Sequence, residues 1–192
     1  MKPFFLKYKS ITISWFMAFA IVLIGLSSFI SNLMAKEYGE DKKKIEDIYF
    51  ILIISAFIGA RLSYVLMNLG LYKGNIGAIF KLTHYNLSLT GGLIVGLLTL
   101  LILSKKFKID FNKLLKIFVI PFYFSMAIGI WLVIFDKFLV SLKISNNPMK
   151  VLSLSIIFLL AMIVELVLGK KIEGKYLTPI ILAVTMGLYF II

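Results

Sequence analysis

The chain contains no cysteine and one histidine, His84. Without thiols there is no disulfide framework, no thiol nucleophile and no zinc ribbon, and one imidazole cannot build a multi-histidine metal centre. Acidic residues are also scarce: 9 Asp and Glu stand against 21 Lys and Arg, a formal net charge of +12. In a soluble protein that excess would suggest nucleic acid. Here the lysines fall between apolar runs, so the charge points to anionic headgroups and membrane orientation, with no nucleic-acid partner. Repeats and low-complexity tracts are lacking, and no cofactor is expected. What is abundant is hydrocarbon. Hydrophobic residues make up 61% of the chain and the mean hydropathy is +1.02, against roughly 45–50% apolar residues in soluble domains.

A membrane span needs about 20 mainly apolar residues. Six stretches qualify, at roughly 11–34, 48–69, 87–104, 114–142, 149–168 and 177–192. Lipid leaves backbone groups no outside partner, so these are helices. The expected fold is an all-α polytopic membrane protein, one integral membrane domain over residues 1–192. Pro121 predicts a kink or tilt in the overlong fourth span, and an interfacial start is an equal alternative because Lys113 and Lys116 lie there. The stretch 70–86, "GLYKGNIGAIFKLTHYN", is too short and glycine-rich to span and reads as an interfacial or re-entrant segment. The first apolar run is too long for a signal-peptide core and lacks a small-x-small cleavage site, so no cleavable signal is expected.

Orientation follows from the lysines in short loops. The first ten residues, loop 70–86 and loop 137–150 carry eight, whereas loops 35–47, 105–116 and 169–176 carry twelve. The second set is expected in the cytoplasm, with both termini outside.

"FIGARLSYVLMN", residues 57–68, places Arg61 inside the second span. A central arginine costs about 2.5–3.5 kcal/mol on insertion scales, so it faces the protein interior with a partner. One reading is structural: carbonyl contacts, or an ion pair with Asp136 or Glu165. The other is a planar fork gripping a lipid phosphate. Tyr64, three residues on, shares its helical face and can offer a hydroxyl to the same site. "LSLTGGLIVGLL", residues 87–98, opens the third span with Gly91 and Gly92, and Gly96 follows. Such glycines allow close helix packing, or bring backbone N–H groups to an anion. His84 is a weak candidate base beside Tyr85. The remaining aromatics, Trp131 and Tyr189 among them, are spaced as interfacial belts.

Taken in order, "ITISWF", "GARLSYVL", "LSLTGGLIVGLL" and "KKFKIDFNKLLKI" resemble the bacterial prolipoprotein diacylglyceryl transferase family over about residues 1–120. That resemblance implies a multi-pass protein of the bacterial plasma membrane. It implies transfer of diacylglyceryl from phosphatidylglycerol to a lipobox cysteine, with phosphatidylglycerol and a prolipoprotein signal helix as partners. It also implies that Arg61, Tyr64, Thr90, Gly91 and Gly92 line the lipid-phosphate site.

The departures bear on activity. The family's S-F-H-G-G reads "SLTGG" here, so Thr90 stands at the histidine position, and Phe16 replaces a first-span tyrosine. The family block G-R-x-G-N-F-x-N-x-E falls on "IGIWLVIFDKF", residues 128–138, where Ile130 occupies the arginine position and neither asparagine is present. The outer head domain is cut to about ten residues, and "NNPMKVLSL" only faintly resembles H-P-x-Q-L-Y-E. Three functions remain open on sequence: an active transferase, a non-catalytic lipid- or lipoprotein-binding paralogue partnering a complete enzyme, and a small transporter subunit. The last has little support, because the sequence shows no second intramembrane ionisable cluster and no inverted repeat.

Overall fold

A computed structural model describes residues 6–8, 11–13, 15–74, 77, 79, 86–135, 147–171 and 176–191. The fold is all-α and polytopic, with one small antiparallel hairpin that the sequence reading did not anticipate. In it β1 (Leu6–Tyr8) pairs with β2 (Ile11–Ile13), Leu6 opposite Ile13. The helices are α1 (Trp15–Glu37), α2 (Lys42–Met67), α3 (Leu89–Phe107), α4 (Phe111–Gly129), α5 (Leu132–Phe135), α6 (Pro148–Lys171) and α7 (Leu177–Ile191). A 3-10 turn at Leu69–Tyr72 follows α2. Among the described residues five helices are long and apolar enough to cross a membrane, the fourth running from α4 to Ile134. With 15 residues, α7 is about 22 Å long, shorter than a hydrocarbon core of about 30 Å.

Side-chain caps explain most helix starts. The Asp41 carboxylate accepts the Lys43 N–H at 3.1 Å, so α2 begins at Lys42 rather than near residue 48. Its first lysines lowered the hydropathy that set the expected boundary, yet long lysine stems tolerate the interface. Ser88 accepts from Gly91 N–H at 3.3 Å, Asp110 from Asn112 N–H at 2.9 Å and Asn147 from Met149 N–H at 3.0 Å. Each satisfies a donor that a helix start leaves open.

Within the expected span 114–142, of which residues 136–142 lie outside the described residues, the helix is interrupted. The helix continues through Pro121 and stops at Gly129, and Ile130–Trp131 form a turn before α5. Bonds of i to i−3 type tighten this turn, from Trp131 N–H to Ile128 O and from Val133 N–H to Ile130 O. Side-chain burial accompanies the break. Ile130 packs with Val151 and Leu154, and the Trp131 indole donates to Ser155 Oγ at 3.1 Å. Trp131 is therefore tied to α6, and Tyr189 packs against Phe158 with ring centres 6.1 Å apart. Neither is simply a belt residue.

The chain divides into two compact units, residues 41–114 and residues 1–40 with 115–192. In the first, α2 and α3 run antiparallel along a seam of small residues. A Cβ on Gly91 would collide with Ser63 and approach the Gly59 carbonyl at 2.8 Å, while one on Gly59 would strike Val95. Gly92 stands similarly against Ala56 and Ala60. Lipid tails give helices no hydrophobic reason to associate, so such close backbone approach supplies the attraction. The second unit packs around Tyr123, Val151, Leu154 and Phe158, each fully buried.

Candidate functional site

Arg61 is 7% exposed on α2. Its guanidinium donates from Nε and Nη2 to the Ile79 carbonyl at 3.1 and 3.0 Å, and from Nη1 to the Asn86 carbonyl at 3.1 Å. The charge also lies over the Tyr72 ring, 5.8 Å from its centre, a cation–π contact. The backbone adds a further tie, Ser88 N–H to the Ala60 carbonyl at 3.0 Å. Arg61 thus clasps the α2–α3 connection at residues 72, 79 and 86. Two carbonyls solvate the guanidinium without neutralising its formal charge, which answers part of its insertion cost.

Tyr64 is half-buried one turn further along α2, and its carbonyl accepts from Asn68 Nδ2 at 2.9 Å. Gly91 and Gly92 lie in the α2–α3 seam. Their N–H groups donate to Ser88 Oγ at 3.3 Å and Ser88 O at 3.0 Å, so the helix start itself uses both. Thr90 is exposed, its hydroxyl 3.3 Å from that of Ser88. Arg61 and the start of α3 therefore meet in one unit through Ala60, Asn86 and Ser88. His84 and Asp136 lie outside the described residues. Glu165, the other acid considered for Arg61, accepts from the Thr178 hydroxyl at 3.1 Å.

Ile130, at the position where the resemblance expects an arginine, is 7% exposed among Val151 and Leu154. An aliphatic side chain there supplies no positive charge.

The sequence reading allowed for carbonyl contacts to Arg61 but did not name Ile79 and Asn86, because backbone groups carry no residue signature. It also missed a second polar cluster. Lys116, Tyr123, Glu165 and Thr178 gather inside the unit of residues 1–40 and 115–192. The sequence reading did not group these residues: they are dispersed along the chain, and only folding assembles them.

A model of the family described as prolipoprotein diacylglyceryl transferase matches residues 3–137. Relatives named phosphatidylglycerol–prolipoprotein diacylglyceryl transferase include one from Listeria innocua serovar 6a, 30% identical over 129 residues, 67% of this chain and 47% of that protein. One from Fusobacterium nucleatum subsp. nucleatum is 34% identical over 131 residues, 67% of this chain and 45% of that protein. The chain spans about half the length of the curated relatives it matches.

Proposed function

The chain belongs to the prolipoprotein diacylglyceryl transferase family, and from that premise we propose that it binds phosphatidylglycerol-type lipid with little or no transferase activity of its own. One observation carries the lipid half. The unit of residues 41–114 falls wholly inside the matched stretch and holds a buried arginine on α2, tied to the chain just before α3. In this reading the Arg61 charge draws the lipid phosphate toward Tyr64, Thr90 and the Gly91–Gly92 turn. The clasp on Ile79 and Asn86 fixes where that charge sits. All of residues 1–192 serve as one integral membrane domain.

Attachment of diacylglyceryl to a thiol needs a group to take the thiol proton and cations to carry charge on the departing glycerol phosphate. Thr90 is a far weaker base than an imidazole, and Ile130 brings no cation. These two side chains support the non-catalytic reading, in which the protein holds lipid or a prolipoprotein signal helix beside a complete enzyme.

Lipid content is the test. Purified Arg61→Ala should lose co-purifying phosphatidylglycerol by mass spectrometry, whereas Arg61→Lys should keep part of it, having charge without the fork. A melt of each variant separates lost lipid from lost clasp. Unchanged lipid in a folded alanine variant would assign Arg61 to the fold alone.

The proposed setting is the bacterial plasma membrane, with both termini outside and loops 35–47, 105–116 and 169–176 cytoplasmic. Because cysteine is absent, single cysteines report cleanly. Lys7→Cys should react with an impermeant maleimide in intact cells and Lys43→Cys should not; the reverse pattern inverts the topology.

A further inference from the structure

Beyond the lipid site, the second polar cluster contains two buried groups that its own contacts leave open. Glu165, 2% exposed on α6, receives Thr178 on Oε2, but no hydrogen-bond donor reaches Oε1. The Tyr123 hydroxyl is fully buried, lies within electrostatic reach of Glu165 and close to Thr185, and meets no partner in hydrogen-bonding geometry. Thr185 donates to the Ile181 carbonyl at 2.7 Å, which leaves its oxygen able to accept.

Sequence spacing explains the convergence. Lys116 and Tyr123 are seven residues apart on α4, Thr178 and Thr185 seven apart on α7, and Phe158 and Glu165 seven apart on α6. Two helical turns bring each pair to one face. The Tyr123 and Phe158 rings touch at 6.4 Å between centres, so the stripes of α4 and α6 face each other. Thr178 brings in α7.

A carboxylate inside a span is expensive unless its charge is met. Thr178 offers one neutral hydrogen bond. Lys116 directs its ammonium to the Gly169 carbonyl at 3.1 Å and acts on Glu165 only through space. The Tyr38 hydroxyl, just past α1, lies near Glu165 around Gly169. Burial first, then Glu37 and Glu165, push the Tyr38 hydroxyl above its ordinary range, so it stays protonated at neutral pH. The groups facing Glu165 are therefore Tyr38 after α1, Lys116 and Tyr123 on α4, and the uncharged Thr178 on α7.

We propose that the open, buried Glu165 oxygen, in one cluster with the buried Tyr123 hydroxyl, binds one monovalent cation, either a proton or a sodium ion. A carboxylate oxygen and hydroxyl oxygens suit a hard cation. The Lys116 charge nearby repels a divalent ion more strongly than a monovalent one, which favours a single charge.

The test is thermal melting of the purified protein in nanodiscs, with wild type compared with Glu165→Gln and Tyr123→Phe. Sodium is exchanged for choline at fixed pH and ionic strength, and in a second arm pH is varied at fixed sodium. Sodium binding should raise the wild-type midpoint by about 3–6 °C at tenfold excess over its dissociation constant. That shift should vanish in Glu165→Gln and need more sodium in Tyr123→Phe. A proton instead gives no sodium effect but a wild-type-minus-variant difference that changes with pH. Should Glu165→Gln fail to fold, Tyr123→Phe carries both comparisons. Equal sodium and pH responses in wild type and folded variants would overturn the proposal.

Discussion

Each of the two units keeps an ionisable side chain inside apolar helices, and they do so by opposite means. In the unit of residues 41–114, Arg61 reaches out of α2 to irregular backbone and is solvated by the Ile79 and Asn86 carbonyls and the Tyr72 ring. In the unit of residues 1–40 and 115–192, Glu165 is met by a side chain from the neighbouring helix α7, and one oxygen is left over. A donor with five N–H groups can be satisfied by carbonyls, which any residue provides. An acceptor carboxylate needs donors, and helical backbone has already used its own. The sign of the buried charge thus decides whether a connection or a helix partner must supply it.

The family match sharpens the contrast, since it includes all of residues 41–114 but stops before α6 and α7. The largest effect is therefore expected where family chemistry is asked of this chain. Expressed in cells depleted of their own transferase, it should neither shift prolipoprotein on a gel nor restore growth. One missing electrostatic group typically lowers a rate about 100–1,000-fold, and Thr90 is a far weaker base than the histidine the resemblance expects. Visible lipidation would overturn the non-catalytic reading and direct attention to His84.

A smaller but still large effect separates the seam from glycines that merely sit in helices. Gly91→Leu should prevent stable α2–α3 packing, because even a Cβ collides with Ser63. Overpacking of this kind costs about 1–3 kcal/mol or more. Gly187→Ala on α7 meets nothing within 4 Å and should be neutral or stabilising by up to about 1 kcal/mol. Melting both variants side by side checks the difference; equal midpoints would mean that the seam is not tightly packed.

The smallest effect belongs to an exposed pair. Lys42 and Glu46 lie 3.8 Å apart on the first turns of α2. Lys42→Ala should change the midpoint by less than about 0.5 kcal/mol equivalent, as exposed pairs four residues apart do. A larger loss would show that this helix end, rather than the buried Arg61, anchors the unit.

Several helix limits were readable because hydropathy and capping residues agree. For α3, expected at 87–104 and found at Leu89–Phe107, the polar Ser88 and the terminal lysines bracket the apolar run. For α6, Pro148 after Asn147 marks the start. Where the two signals disagreed the reading slipped. Asp41 caps α2 ahead of three lysines that hydropathy excludes, and the break after Gly129 sits in sequence as apolar as the helix before it.

Composition and periodicity by themselves determined that this protein is built of apolar helices, with an arginine inside the second and a glycine-rich third span, because the bilayer admits few other ways to satisfy a backbone. Which groups meet that arginine was decided only by tertiary structure, since carbonyl oxygens are alike at every residue and only the path of the chain selects Ile79 and Asn86. The same holds for Glu165: Tyr123, Thr178 and Lys116 are unremarkable polar residues until helix packing brings their faces together.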